Sequence, residues 1–272
     1  MKNITGFAPA LAAIALSLVL VGLPGHAQLI TDNFDRGTAD APVALDGSSP
    51  SYSATPETWT ANSDFTTNGT AAVIGSPAPS SADAYVGIPG DTSGLGVGTY
   101  TLSFTIAQPG DNSGETFVAA GFGEDTSTTG IPTLASDLDP FLAVYQGDGE
   151  FCIYDKEVGQ DPSVGGNLLD RLPYFVSGNA NVVLTLVVNG GGSDTMSATV
   201  NGTSALLDGS TTYTADLIPI TNLFLAEDSA NTTSFESLEL DGPAVPEPKS
   251  WAMMLGGAAL LFRVLRLRRQ RI

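Results

Sequence analysis

Along most of this chain, apolar residues alternate with polar ones instead of recurring at helical spacing. Gly98–Ala107 (GTYTLSFTIA) shows it most plainly: Tyr100, Leu102, Phe104 and Ile106 fall on one face, Thr101, Ser103 and Thr105 on the other. That period of two predicts a strand with one buried and one wet side. Strands are likewise predicted over Glu115–Gly123, Phe141–Gln146, Glu150–Asp155, Asn181–Asn189, Thr195–Asn201, Asn222–Ala226 and Ser234–Leu240, and a first one over Leu29–Arg36. Gly147-Asp148-Gly149 and the Gly190–Asp194 run supply hairpin connections. Residues 37–95 are rich in Pro, Ser, Gly and Thr. Beyond Glu57–Ala61 and Ala71–Ile74 they predict long loops. Between the two ends of the chain no segment keeps a helical period. The expected class is all-β, an antiparallel β-sandwich.

The two ends break this pattern. At the start, Lys2 is followed by an apolar run from Leu11 to Leu23 and then by Pro24-Gly25-His26-Ala27. A cationic start, a short apolar segment and small residues before a cut form a secretory signal, with cleavage expected between Ala27 and Gln28. The expected partners are the Sec translocon and a signal peptidase. At the other end, Pro246-Glu247-Pro248 forms a stiff, extended stretch. Wholly apolar residues run from Trp251 to Phe262, and Arg263, Arg266, Arg268, Arg269 and Arg271 follow. This order predicts a short membrane helix with an interfacial Trp outside and arginines held on the cytoplasmic side of the inner membrane. Its apolar run is short for a full span, so Arg263 and Arg266 would snorkel. The chain therefore divides into a signal helix (1–27), a sandwich body (28–243, with long loops in 37–95) and a tail (244–272).

Charge sharpens the division. The chain of 272 residues has a formal net charge of −19. Of its 10 Lys and Arg residues, however, only Arg36, Lys156 and Arg171 lie in the body, and of its 29 Asp and Glu residues only Glu247 lies outside it. Such an acidic body repels phosphate backbones, which excludes nucleic acid as its partner. His26 is the only histidine and lies before the expected cut, so the mature body has no imidazole for Ser-His-Asp or Cys-His catalysis or for His-based metal sites. Cys152 is the only cysteine. An internal disulfide is thereby excluded, and a small buried apolar role is expected. No nucleotide-binding glycine motif and no HExxH occurs.

The tail residues resemble the PEP-CTERM sorting signal of Gram-negative bacteria. Pro246-Glu247-Pro248 matches the namesake tripeptide, Trp251-Ala252-Met253-Met254-Leu255-Gly256-Gly257 matches a common form of the helix, and the Arg-rich end completes it. The resemblance implies that an exosortase handles the tail near the tripeptide and releases or transfers the body. It further implies transient anchoring in the inner membrane and a final place at the cell surface or in an extracellular, polysaccharide-rich biofilm matrix. The body, in turn, resembles a concanavalin A/laminin-G-like jelly roll. The resemblance rests on an opening DNFDR, a later TWTA, the YTLSF strand, VVLTLVVNGGGSDTMSATVNG and a closing SFESLEL. In that family the first and last strands often lie side by side.

Three chemistries were weighed for the body. Glycoside hydrolysis needs two carboxylates facing across a cleft. Glu150–Glu157 (EFCIYDKE) and Glu236–Asp241 both fail the strand spacing of retaining enzymes on lectin-like sandwiches. Calcium is a candidate, because Asp32 and Asp35 could meet Glu239 and Asp241 if the first and last strands pair. The competing reading is that these are solvated turn carboxylates. For sugar contact the candidates are Trp59, the body's only Trp, and Tyr52, with Tyr145, Tyr154 and Tyr174 behind them; core packing is the competing fate of Trp59. The expectation is a non-enzymatic, structural or adhesive surface protein without an obligatory cofactor. The alternative is a lectin-like module for exopolysaccharide, with a glycoside hydrolase a distant third.

Overall fold

The strand over Gly98–Ala107 forms with the predicted bounds, and the sandwich is built around it. The structure is a computed structural model that describes residues 26–74, 81–89, 95–107, 117–123, 138–145, 150–154, 168–173, 178–189, 194–204, 213–215, 220–228 and 234–243. The signal helix, the tail helix and the sorting residues from Pro246 to Arg271 lie outside the described residues. Among the described residues no helix is long and apolar enough to cross a membrane.

In chain order the strands are β1 (His26–Asp32), β2 (Val43–Ala44), β3 (Tyr52–Ser53), β4 (Thr60–Ala61), β5 (Phe65–Thr67), β6 (Ala72–Ile74), β7 (Ser81–Gly87), β8 (Gly98–Ala107) and β9 (Phe117–Gly123). They continue with β10 (Leu138–Tyr145), β11 (Glu150–Tyr154), β12 (Leu168–Pro173), β13 (Ala180–Val188), β14 (Asp194–Val200), β15 (Thr203–Ser204), β16 (Tyr213–Ala215), β17 (Asn222–Asp228) and β18 (Ser234–Pro243). One sheet of 11 strands runs β15-β14-β13-β8-β18-β6-β5-β2, with β1 on β18, β3 on β1 and β16 on β14. The second, of 7 strands, runs β12-β11-β10-β9-β17-β7-β4. The expected neighbourhood of first and last strands is present, since β1 pairs with β18.

Alternation sends one face of each sheet into a shared core. The larger sheet contributes Leu102, Phe104 and Ile106 from β8, Val182, Leu184 and Leu186 from β13, and Phe235, Leu238 and Leu240 from β18. From the smaller sheet come Val118, Ala120, Phe122, Leu223 and Leu225. In β18 the apolar positions 235, 238 and 240 do not keep a period of two. The ladder with β8 shifts register between Phe235 and Ser237, so that Glu236 is bulged and all three apolar side chains still point inward.

Two sequence expectations are corrected here. The first strand ends at Asp32, not Arg36, because the chain turns at Asn33-Phe34: Phe34 has φ 51° and donates its N–H to Asp32 Oδ1 at 2.9 Å. Residues 37–95 are not only loops, for they hold six strands that extend both sheets and place Leu45, Trp59, Phe65, Ala72, Ala84 and Val86 in the core. Two of the six, β4 and β6, fall within the expected Glu57–Ala61 and Ala71–Ile74. In the other four the apolar anchors are single residues between turn formers, and Ser81–Gly87 has the small Ala84 at an inward position, so neither period nor propensity marks them.

Gly242 is required where β18 passes β1 and Tyr100. A Cβ there would lie 2.6 Å from Leu29 Cδ1 and 2.9 Å from Tyr100 Cδ1. Tyr100 is buried in this corner and donates its hydroxyl to the Gly96 carbonyl at 3.0 Å. Burial pushes its phenol above the ordinary value of 10.0. The unfolded chain therefore loses this proton at lower pH than the folded one, and stability falls as pH rises past about 10. In urea unfolding at about pH 8 and about pH 11, Tyr100→Phe is expected to shrink the alkaline loss. An unchanged loss would show that other groups carry it.

Candidate functional site

Asp32 closes β1 facing inward and is fully buried. Its carboxylate takes two bonds from Arg36, Nη1 to Oδ1 at 3.1 Å and Nη2 to Oδ2 at 2.8 Å. Trp59 Nε1 donates to Oδ2 at 2.7 Å, and Phe34 N to Oδ1. Arg36 also reaches the Ser49 carbonyl at 2.8 Å and stacks on Phe34, whose ring lies 6.1 Å from that of Trp59. A buried charge persists only when its partners are this complete.

This arrangement decides between the alternatives weighed for these residues. Asp32 is no calcium ligand, since guanidinium, indole and amide donors occupy both its oxygens. Asp35 is exposed, Glu239 accepts from Gln28 Nε2 at 2.7 Å, and Asp241 stands opposite Thr101 on β8. Although β1 and β18 pair, no group of three metal-ligating side chains forms among the described residues. Trp59 is 1% exposed and offers no ring face to a sugar. Together these groups hold a loop. Arg36 and Asp32 grip it at Ser49 and Ser51, and Trp59 anchors its far end.

Within that loop, Ser51–Ala54 runs along β1. Asn33 N bonds Ser51 Oγ, Thr31 stands opposite Tyr52, Ile30 opposite Ser53, and Ala54 N bonds the Leu29 carbonyl. Residues directly opposite on paired strands share a face. Tyr52 thus stands beside Thr31 on the outer face of the larger sheet, 47% exposed.

That outer face carries Thr101, Ser103 and Thr105 from β8, and Asn181 and Thr185 alternate there with Val183 and Val187 on β13. A shallow groove of 140 Å³ crosses it, lined by Thr31 and Asn33 near β1, Ser237 and Glu239 on β18, Ser103 and Thr105 on β8, and Asn181 and the apolar Val183 on β13. Ser237 Oγ donates to Thr105 Oγ1 at 3.2 Å, and Thr105 donates to Asn181 Oδ1 at 2.9 Å. The relay fixes hydroxyl directions and occupies Asn181 Oδ1 as an acceptor. Thr31 Oγ1 is buried without a hydrogen-bond partner. The hydroxyl, amide and carboxylate groups along the groove can both accept and donate hydrogen bonds.

Of the remaining candidates, Ala27 and Gln28 lie within β1, so the expected signal cut falls inside a strand. Cys152 sits in β11 opposite Ala143 and Arg171. Glu150 opposes Tyr145 and Pro173, whereas Asp155 and Glu157 lie outside the described residues. The alternation predicts the Thr101-Ser103-Thr105 face as wet, and the structure makes Ser103 and Thr105 part of the groove. The signal available was the density of Thr, Ser and Asn opposite apolar positions in β8, β13 and β18. Which of these strands were neighbours was needed to use it.

No protein-family model matches the chain, and no curated protein matches it. In structure it is similar to the metal-free carbohydrate recognition domain of Emp46p, at 9% identity and TM-score 0.46, covering 68% of this chain and 87% of that one. It is also similar to an endo-1,3-beta-glucanase from Streptomyces sioyaensis, at 9% identity and TM-score 0.46, over 81% and 98% of the two chains. A third is the metal-free exoplasmic/lumenal domain of VIP36, at 9% identity and TM-score 0.43, over 75% and 95%.

Proposed function

We propose that this chain is an exported surface protein whose concanavalin A-like jelly-roll body binds carbohydrate without catalysis. The groove on the outer face of the larger sheet carries this reading: hydroxyls, the Asn33 and Asn181 amides and the Glu239 carboxylate line one shallow concave site. The amides and hydroxyls match ring hydroxyls as both donors and acceptors, and Glu239 keeps Oε2 for a further hydroxyl while Oε1 holds Gln28. Export rests on the leader before Gln28, and delivery on Pro246-Glu247-Pro248 with its apolar and Arg-rich sequel.

Calorimetric titration of the purified protein with host exopolysaccharide tests the binding, with calcium and then with chelator. Saturable binding that chelation leaves intact is the expected result. Loss on chelation would move the site to a cation not held by the Asp32 cluster. Intact mass of the surface form tests delivery. It is expected to begin at Gln28 and to lack Arg263–Arg271, and an intact arginine end in a host that has an exosortase would overturn the sorting.

A structural or adhesive body is the second reading. One observation favours it: among the described residues Tyr52 is the only aromatic in the group of large exposed apolar side chains. A cooperatively folding protein that binds no glycan would decide for it.

A further inference from the structure

Resting on the carbohydrate reading, we infer that the ligand is a neutral oligosaccharide lying across the strands, with one end stacked on Tyr52 and the other seated in the groove as far as Asn181. The sheet order β3-β1-β18-β8-β13 sets Tyr52, Thr31, Glu239 and Ser103 in succession on one face, with Val183 opposite Ser103 and Asn181 one turn of the alternation further along β13, opposite Thr105. Four strand spacings make this track about 19 Å long, longer than a single ring fills. Tyr52 supplies what the groove lacks, a flat apolar face with a polar tip for the C–H side of a sugar ring. It is also preorganised. The bonds of Asn33 to Ser51 and of Ala54 to Leu29 pin the backbone on either side, and the Asp32 cluster grips the loop at Ser49, Ser51 and Trp59. A fixed platform loses little freedom on binding.

Charge selects the class of sugar. β18 brings Glu236, Glu239 and Asp241 to this sheet, and β1, β3, β8, β13, β14 and β18 contain no Lys or Arg. Arg36, nearest in the chain, is committed to Asp32 and the Ser49 carbonyl. A uronate or sulfated chain would place like charge against Glu239, and these strands carry no Lys or Arg among the described residues to balance it. Neutral hydroxyls meet only acceptors and donors that suit them.

The test titrates the purified protein with neutral gluco-, manno- and galacto-oligosaccharides from single sugars to hexamers, and with a polyuronate. For the neutral series that binds, affinity is expected to rise with length until the track is spanned, and the polyuronate is expected to bind more weakly. Tyr52→Ala should weaken the longer chains by about five- to tenfold while leaving single sugars unchanged; Tyr52→Phe should restore the length dependence. Tyr52 is exposed, so thermal unfolding of both variants should match the parent. Equal affinities of Tyr52→Ala and parent at every length, or a polyuronate bound as tightly as the neutral chains, would overturn this inference and leave the carbohydrate reading standing. No binding of any glycan to the folded protein would remove that reading, and this inference with it.

Discussion

Replacing Asp32 with alanine is expected to lower the unfolding free energy by about 3–5 kcal/mol, because it strands a guanidinium, an indole N–H and a backbone N–H that now share one buried carboxylate. For a body of this size that is a fall in Tm of roughly 6–20 °C. Asp32→Asn should cost less, since the amide oxygen can still accept from Trp59 but no longer pairs with Arg36. Thermal unfolding followed by circular dichroism measures both. A loss below about 1 kcal/mol for the alanine variant would mean that Arg36 finds water easily and that the cluster is not the loop's anchor. The same variant should also weaken glycan binding, because the loop it frees carries Tyr52.

A chain ending at Thr233 should show no cooperative unfolding transition at all. β18 is not an edge: it pairs with β8 at seven positions from Ser234 to Asp241, and its other side meets β1 and, at Phe235, β6. Its Phe235, Leu238 and Leu240 are fully buried. Losing those three side chains alone removes about 5–9 kcal/mol of burial, comparable to the whole stability of a typical domain. Differential scanning calorimetry of the shortened chain against the full one reads the difference directly. A surviving transition of similar enthalpy would mean that the larger sheet closes without its last strand.

What could be read from residues alone followed how regular the local pattern is. β8 was read to the residue because four large apolar side chains alternate with threonine and serine without a break. β18 was read in part, since its bulge at Glu236 hides the period and only the partner strand reveals it. Leu168–Pro173 (LLDRLP) was missed because it neither alternates nor contains a β-branched residue, and its place is set by pairing with β11. The site was less legible than the fold. Trp59 and Tyr52 look alike as lone aromatics in a polar stretch, and which one is buried depends on Asp32, 27 residues from Trp59. The groove joins strands far apart in sequence, so its polar residues were visible only as the wet sides of separate strands.

The meeting of first and last strands also governs when this protein can fold. Gln28 and Glu239, which bond across that meeting, are 211 residues apart. Contacts of such separation carry a large closure entropy and form late. A chain that emerges N-terminus first presents β1 with only the short β3 beside it, and the larger sheet cannot be completed until β18 arrives. Until then the larger sheet stays open between β1 and β8, and it closes only once the end of the body has been made. Folding is thereby timed by the order of synthesis itself, with the final strand acting as the release for the first.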